Sequence, residues 1–480
     1  MNEQENTTEK KVSSLQSTTV LAKNKKEIYS VTGNELLGSI PLMTKKEVEA
    51  AMNEASLQQK TWAKVEVYKR AQVLHAWADE LLKNKEELAV TISKEVGKGI
   101  SSAQKEVDRT ADLIRYTAEE GVRLHGDMMK GDAFPGGTTD KIAMIGREPL
   151  GVVLAISPFN YPVNLAASKV APALITGNAV VFKPATQGSL SGLLMIKALL
   201  NTNLPKGVVQ AVTGKGSEIG DFLVTHPKVN MISFTGGTAT GQAIAEKAKM
   251  IPLVLELGGK DPAIVLEDAD LDLTAKNIVG GAFSYSGQRC TAIKRVLVQE
   301  EVADALTLKI KEQIEALSIG TPEEDADITA LIDEQSADFV QSLIDDALSK
   351  GASLVTGNKR EENLIYPTLL DHVTADMDLA WEEPFGPVLP IIRVKNETEA
   401  VELANASEYG LQASIFTKNV EKAMKLGAEL EVGSVQLNAK TERGPDHFPF
   451  IGVKNSGLGV QGVRRSIESM TRDKVFVLNF

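Results

Sequence analysis

Hydrophobic residues recur at helical spacing over the first part of the chain. Val48 and Ala51 follow Thr44 at this spacing, and Glu47 stands three residues after Thr44, which is the pattern of a capping box. The pattern predicts a tract of helices over residues 44–126.

The pattern changes at Lys141 to short apolar runs that end at glycine, proline or asparagine. The runs include GVVLAISPFNYP, NAVVFKPA, GVVQAVTG and VNMISFTGG, and helix-like segments such as 189–199 separate them. Alternating strands and helices predict a parallel sheet covered by helices. The same alternation returns after Glu256, with helices predicted over 271–284 and 302–317, so we expect a second α/β unit.

Composition and charge narrow the possible classes of protein. The chain has 480 residues, more than the roughly 250–300 at which one hydrophobic core stops growing, so we expect at least two domains. Its 52 basic and 64 acidic residues give a net charge of −12, which repels nucleic acid and anionic lipid, and we expect neither as a partner. One cysteine cannot form an internal disulfide, and no segment has the apolar pattern of a signal peptide or a membrane span. We therefore expect a cytoplasmic protein.

The only cysteine lies in the stretch SYSGQRCTA, directly after Arg289. A free cysteine is usually a small buried apolar side chain, but the neighbours of Cys290 are polar or flexible, and we expect the charge of Arg289 to favour the thiolate. This setting favours a nucleophile. The five histidines lie in unrelated contexts, and Cys and His do not occur at metal-ligand spacing, so a Cys–His enzyme and a metal site are both disfavoured.

For each of three further features the sequence allows either a chemical role or an ordinary structural role. Glu256 lies between Leu255 and Leu257, where desolvation favours a raised pKa and a general base, although a structural ion pair is an alternative. Lys183 ends an apolar strand at the edge where open α/β sheets bind ligands, although a surface lysine is common there. The strand-to-helix turn TGGTATG fits either a phosphate site or a tight structural turn.

Seven motifs occur together in the order and approximate spacing of one family. They are SPFNYP, FKPA, FTGG, LELGGKDP, GQRC, EEPFGP and NSGLG, and through them the chain resembles the aldehyde dehydrogenase superfamily from about Val20 to its C-terminus. The resemblance implies an α/β fold with a Rossmann-like cofactor domain, an α/β catalytic domain and a small β oligomerisation flap. The implied boundaries are a polar lead-in over 1–19, the cofactor domain over 20–129 and 150–257, the catalytic domain over 258–462, and the flap over 130–149 and 463–480. The open sheet edge of such a flap predicts pairing between subunits, and we expect a homotetramer.

Within the superfamily the sequence is more closely similar to a non-phosphorylating, NADP-dependent subfamily. The segments KEVDRTAD, GQRCTAIKR, ERGPDHFPFIG and AWEEPFGPVLPIIRV carry this likeness. It implies irreversible oxidation of D-glyceraldehyde 3-phosphate to 3-phosphoglycerate. In that reaction Cys290 forms a thioester, Asn160 and the Cys290 backbone N–H stabilise the oxyanion, and Glu256 activates the hydrolytic water. Two alternatives remain: an aldehyde dehydrogenase for another small anionic aldehyde such as succinate semialdehyde, or a catalytically inactive binding or structural member.

The resemblance also implies the binding residues. For the substrate they are Arg109, Asn160, Tyr161, Arg289, Cys290, Thr291 and Arg443, among which the three arginines and the tyrosine hold the phosphate. For the cofactor they are Ser157, Lys183, Thr186, Asp221, Gly236, Gly237, Gly241, Leu257 and Glu383. NAD-preferring relatives commonly have a glutamate at position 186, so the neutral hydroxyl there favours NADP. Position 237 is a glycine where many relatives have a serine that touches the cofactor phosphates.

Overall fold

The computed structural model describes residues 24–480, so the predicted lead-in over residues 1–19 lies outside the described part. The helices are α1 (Lys45–Trp62), α2 (Val67–Lys83), α3 (Lys85–Val96), α4 (Ile100–Val122), α5 (Asn164–Ile175), α6 (Ser189–Leu200), α7 (Gly216–Val224), α8 (Thr238–Lys247), α9 (Leu271–Phe283), α10 (Glu300–Glu315), α11 (Glu334–Ser349), α12 (Glu397–Asn405), α13 (Val420–Glu429) and α14 (Val463–Ser469). No helix within 24–480 is long and apolar enough to cross a membrane.

The strands fall into two large sheets and several small ones. The first eleven are β1 (Lys25–Tyr29), β2 (Leu36–Pro41), β3 (Asp127–Lys130), β4 (Lys141–Pro149), β5 (Val152–Ile156), β6 (Ala179–Lys183), β7 (Val209–Ala211), β8 (Val229–Thr235), β9 (Leu253–Glu256), β10 (Pro262–Val265) and β11 (Arg295–Gln299). The others are β12 (Ser353–Thr356), β13 (Arg360–Glu361), β14 (Leu364–Ile365), β15 (Thr368–Asp371), β16 (Val388–Val394), β17 (Tyr409–Gly410), β18 (Gln412–Phe416), β19 (Ser434–Leu437), β20 (Phe450–Ile451), β21 (Val453–Lys454), β22 (Gly457–Leu458), β23 (Val460–Gln461) and β24 (Thr471–Asn479).

The first unit is built on a six-stranded sheet with the order β22-β9-β8-β5-β6-β7, parallel except for β22. Its central strands are apolar along their length because helices cover both faces. The predicted helical tract is confirmed as α1–α4, which pack into the same core. The predicted capping box is also confirmed, because Oγ1 of Thr44 accepts from the N–H of Glu47 and the Glu47 carboxylate accepts from the N–H of Thr44.

The second unit is a seven-stranded sheet with the order β12-β15-β16-β11-β10-β18-β19, parallel except for β12. One apolar core contains residues of α9 and α10, and a second contains residues of α11, α12 and α13. The second α/β unit predicted after Glu256 is therefore confirmed.

The C-terminal segment contributes to three parts of the molecule. β22 pairs with β9 opposite Glu256, and Val463 and Ile467 of α14 are buried in the core of the first unit. A separate antiparallel sheet follows, with the order β24-β4-β3. β24 begins at Thr471, because the apolar face of α14 packs inward before the strand starts.

Candidate active site

A cleft of about 870 Å³ opens at the carboxyl ends of the parallel strands in the first unit. Ser157 follows β5, Lys183 ends β6 and Thr235 ends β8, and all three residues line the cleft. Ligands of open α/β sheets bind at this edge, and the volume lies within the roughly 300–1,000 Å³ typical of ligand pockets. The cleft is the candidate cofactor site.

Two helices begin in the wall of this cleft. The starts of α7 and α8 line it, with Gly216 and Gly237 among the lining residues. Space is open at both glycines where a side chain would stand, so a ligand can approach the backbone closely. The free N–H groups and the dipole of a helix N-terminus favour phosphate. The cleft is therefore suited to a dinucleotide whose phosphates face these helix ends.

Most residues predicted to bind the cofactor line this cleft. Those that do are Ser157, Lys183, Asp221, Gly236, Gly237, Leu257 and Glu383. Thr186 does not line it, although its neighbour Ala185 does. Gly241 packs against Leu257, where an added Cβ would lie 2.3 Å from Cδ2 of that leucine. Gly241 therefore allows α8 to pack closely beside the cleft and does not face a ligand.

Cys290 lines the same cleft and follows a strained turn. The three consecutive residues with left-handed backbone have φ values of 54° at Tyr285, 51° at Ser286 and 74° at Gly287. Such values are unfavourable for non-glycine residues and persist where the surroundings hold them. The Tyr285 hydroxyl donates to the carbonyl of Val96 at 2.6 Å, and the Ser286 hydroxyl donates to the carbonyl of Thr329 at 2.9 Å. These bonds to distant segments hold the turn that positions Cys290.

The charge next to the nucleophile is not the predicted one. Burial raises the pKa of the Cys290 thiol to about 11, against the lowering effect of Lys294 and Arg443. Lys294 and Arg443, rather than the predicted Arg289, are the cations that lower this pKa, and Nη2 of Arg289 donates to the carbonyl of Gly281 at 2.6 Å. Lys294 instead donates to the carbonyl of Cys290 and forms an ion pair of 2.8 Å with Glu383.

Asn160 lies on the loop between β5 and α5 and lines the cleft together with Cys290. Its side chain is buried, and Nδ2 donates to the carbonyl of Gln288 at 2.9 Å. A side-chain amide has two N–H bonds, so the second is available to an oxygen atom that develops charge beside Cys290. The structure thus brings the predicted oxyanion donor to the nucleophile.

Glu256 ends β9 and is both buried and paired. Nη1 of Arg443 donates to its two carboxylate oxygens at 2.8 and 2.9 Å, and Oγ1 of Thr235 donates to Oε2 at 2.7 Å. Nζ of Lys169 lies 3.8 Å away. The carboxylate also contributes to the raised pKa of Cys290, which is consistent with a position near the sulfur. The sequence left open whether Glu256 is a general base or a member of a structural ion pair. In the structure the candidate base is itself held in an ion pair.

The three candidate phosphate-binding arginines have different partners. Nε and Nη2 of Arg109 donate to both carboxylate oxygens of Asp446 at 2.6 and 2.7 Å, and Nη2 also donates to the carbonyl of Arg443 at 2.7 Å. Arg443 is paired with Glu256. Arg289 is buried, forms no ion pair within residues 24–480, and its Nε has no hydrogen-bond partner there. An uncompensated buried guanidinium is a candidate anion site.

The remaining two predicted substrate residues are tied to the site through other contacts. The Tyr161 ring lies 3.6 Å from Nζ of Lys98. The carbonyl of Thr291 accepts from Oγ1 of Thr441 at 2.8 Å, which brings the segment before Arg443 to the turn at the nucleophile.

Sequence reasoning missed three polar residues of this site, namely Lys98, Lys294 and Asp446. Lys294 and Asp446 stand inside the quoted segments GQRCTAIKR and ERGPDHFPFIG, but spacing alone did not separate them from surface charges. Lys98 is fully buried, and no local apolar pattern marks it.

Comparisons with known proteins agree with this geometry. The Aldehyde dehydrogenase family matches residues 20–476 of the chain. An NADP-dependent glyceraldehyde-3-phosphate dehydrogenase of Streptococcus equinus is 55% identical over 459 residues, which cover 96% of each chain. The enzyme of the same description from Pisum sativum is 53% identical over 91% of this chain and 88% of its own length. The crystal structure of NADP-dependent glyceraldehyde-3-phosphate dehydrogenase from Bacillus halodurans, complexed with NADP, shares 62% identity at a TM-score of 0.95, and 96% of each chain is covered.

Proposed function

Because the chain belongs to the aldehyde dehydrogenase family, we propose that it catalyses the NADP-dependent oxidation of D-glyceraldehyde 3-phosphate to 3-phosphoglycerate. The observation that carries the proposal is the single thiol of Cys290 in a cleft of dinucleotide size, linked through hydrogen bonds of its neighbouring segment to two arginines. Thr291, which follows Cys290, bonds to Thr441. The carbonyl of nearby Arg443 accepts from Arg109. The similar proteins from Streptococcus equinus, Pisum sativum and Bacillus halodurans carry the name NADP-dependent glyceraldehyde-3-phosphate dehydrogenase, which supports this proposal.

The chain's own residues supply most of the steps. The Cys290 thiol loses its proton to water, and the thiolate bonds to the aldehyde carbon as the C=O π bond breaks. The oxygen that becomes negative accepts from Nδ2 of Asn160 and from the backbone N–H of Cys290. Loss of one such donor typically costs ~3–4 kcal/mol of barrier. Lys294 and Arg443 lower the pKa of Cys290 against the effect of its burial, which supports a role for them in stabilising negative charge on the sulfur. The cleft residues Lys183 and Glu383 would hold NADP, which would supply the acceptor for the hydride on the carbon attached to the sulfur.

Hydrolysis of the thioester completes the reaction. Glu256 takes a proton from water, the water oxygen bonds to the acyl carbon, and the C–S bond breaks to release Cys290. Because water is the acceptor, the product is a carboxylic acid and not an acyl phosphate.

For the substrate phosphate we assign the guanidinium groups of Arg109, Arg289 and Arg443, with the hydroxyl of Tyr161. Guanidinium groups bind phosphate through paired, charge-assisted hydrogen bonds. The orphaned Nε of the buried Arg289 supports this assignment, because a bound anion would satisfy it.

For the cofactor we assign Lys183 and Thr186 to the adenosine ribose and its 2′-phosphate, and Glu383 to the nicotinamide ribose. Lys183 is a buried cation on the cleft wall, which fits a phosphate. The backbone at Gly237 and the N-terminus of α8 provide the N–H groups that a serine would otherwise supply. We also propose that the subunits assemble as a homotetramer through the β24-β4-β3 sheet.

The deciding experiment follows NADPH formation with D-glyceraldehyde 3-phosphate in phosphate-free buffer and identifies the product. We expect 3-phosphoglycerate, formed without added phosphate. The variant Cys290→Ser should lose the oxidation and retain NADP binding. Residual turnover above a trace in that variant, or a preference for succinate semialdehyde, would contradict the assignment.

A further inference from the structure

A chain of four side chains with alternating charge connects the candidate phosphate site to the candidate base. Arg109 holds Asp446 through two bonds, Asp446 lies 3.8 Å from Nε of Arg443, and Arg443 holds both oxygens of Glu256. Two guanidinium groups and two carboxylates make this chain electrically neutral. Without a ligand, each arginine thus bonds to a carboxylate of the protein itself.

Further contacts hold the side chain of Arg443 in place. Its Nη2 donates to Oε1 of Gln461 at 2.9 Å, and its guanidinium carbon lies 4.8 Å from the centre of the Phe450 ring. Only 13% of its side chain and 6% of the Glu256 side chain are exposed. Charge-assisted bonds in such an enclosed place are strong, because little water competes for them.

The pairing restrains Glu256 as a base. A carboxylate that accepts two bonds from a cation must give up part of that stabilisation when it takes a proton from water. Hydrolysis of the thioester is therefore hindered while Arg443 stays on Glu256.

We propose that Arg443 couples recognition of the substrate phosphate to release of Glu256. A phosphate that reaches Arg443 is a stronger acceptor of paired N–H bonds than the carboxylate of Glu256, and it draws the guanidinium toward itself. Glu256 keeps the bond from Thr235 to Oε2, and its Oε1, which Arg443 has left, can accept a proton from water. The inference rests on the proposed function, in which Arg109, Arg289 and Arg443 hold the phosphate.

The consequence is a second form of substrate selection. Unphosphorylated glyceraldehyde acylates Cys290 and transfers its hydride, but it leaves Glu256 paired, so its thioester hydrolyses slowly. Discrimination then appears in the deacylation rate as well as in KM.

The test uses a substrate without a phosphate group and adds inorganic phosphite as a separate anion in its place. The enzyme is mixed rapidly with NADP and glyceraldehyde in the presence of increasing inorganic phosphite, and NADPH is followed as a burst and a steady state. The burst reports acylation and the steady state reports deacylation. We expect phosphite to raise the steady-state rate saturably, with little change in the burst. The increase should be at least about tenfold and no larger than the roughly 10²–10⁴-fold that general-base assistance contributes.

Three variants make the result specific. Arg443→Leu should show no acceleration of the steady state by phosphite. Glu256→Gln should give a normal burst and no phosphite response, and it keeps the test decisive if Arg443→Leu does not fold. Arg115→Leu is the matched control, because that arginine lies on α4 like Arg109 but pairs with Asp79 on the surface, and it should keep the full response.

The possible failures are distinct. If phosphite accelerates only the burst, Arg443 binds phosphate without controlling Glu256, and the inference is overturned while the proposed function stands. A phosphite response that persists in Glu256→Gln has the same meaning. If phosphite changes neither phase and does not compete with glyceraldehyde 3-phosphate, the phosphate site itself is misassigned, and both the site and the inference fall.

Discussion

Thr186 is the residue on which the choice between NADP and NAD is proposed to depend. It stands beside Ala185 in the cleft wall and three positions after the buried Lys183. The neutral hydroxyl of Thr186 does not offset the positive charge of Lys183 as a carboxylate would. The positive charge favours a cofactor that carries an additional phosphate.

The variant Thr186→Glu should therefore shift the preference toward NAD. A carboxylate placed beside the 2′-phosphate adds like-charge repulsion and a desolvation cost, for which several kcal/mol is typical. We expect the ratio of kcat/KM for NADP over NAD to fall by about a hundredfold, which corresponds to ~2.8 kcal/mol. Steady-state kinetics with both cofactors measure the ratio.

The control is Thr398→Glu, which adds the same charge on the exposed start of α12, away from the residues that line the cleft. It should leave the ratio unchanged. An unchanged ratio in Thr186→Glu as well would remove Thr186 from the cofactor site.

At the scale of elements, a buried ion pair joins α4 to the two loops that carry the chemistry. Lys98 and Glu106 are paired without exposure to solvent. The Glu106 carboxylate also accepts from the N–H groups of Val163 and Asn164 at the start of α5, at 3.0 and 3.1 Å. Nζ of Lys98 also lies 4.8 Å from the centre of the Tyr285 ring in the turn before Cys290. The pair thus positions both walls around the nucleophile.

The variant Lys98→Met should be strongly destabilised, because it leaves the charge of Glu106 buried without a partner. Removing one member of a buried pair typically costs ~3–5 kcal/mol of the free energy of unfolding. The double variant Lys98→Met/Glu106→Gln should recover part of that loss, since the unpaired charge is then absent. Urea unfolding of the single and double variants measures both effects.

Lys85→Met is the matched control, because its ion pair with Asp108 is partly exposed, at 29% and 46% of the two side chains. Such pairs contribute about 0–1 kcal/mol. If Lys98→Met were no more destabilising than Lys85→Met, the buried pair would have no positioning role.

At the scale of the whole molecule, no strand within residues 24–480 pairs with the outer edge of β24 in the β24-β4-β3 sheet. β24 presents a run of exposed apolar side chains, with Val475 at 50%, Phe476 at 61% and Val477 at 56%. Unpaired strand edges of this kind associate with other chains. This supports assembly through the flap.

The variant Phe476→Asp should therefore give smaller assemblies. A charge in the middle of the exposed apolar strand opposes burial against another subunit. Sedimentation velocity should show a shift from the proposed tetramer toward dimers or monomers, whereas Lys474→Gln on the same strand should keep the assembly of the unmodified protein. An unchanged sedimentation coefficient for Phe476→Asp would place the interface elsewhere.

The sequence by itself determined the features that depend on neighbours along the chain. The capping box at Thr44 and the alternation of strands and helices could be predicted because caps and apolar periodicity act over a few residues. The candidate nucleophile could be predicted because only one cysteine exists. The position of the cleft at one edge of the sheet could be predicted from the parallel topology, because ligands bind at the carboxyl ends of parallel strands.

Only the tertiary structure decided which charges meet. Arg443 and Glu256 lie 187 positions apart in the chain, and Arg109 and Asp446 lie 337 apart, so no local pattern indicates either pair. The same holds for Arg289, which adjoins Cys290 in sequence but turns to Gly281, while Lys294 bonds to the carbonyl of Cys290. The direction of a long side chain is set by the packing and burial around it, and these arise only when distant segments of the chain come together.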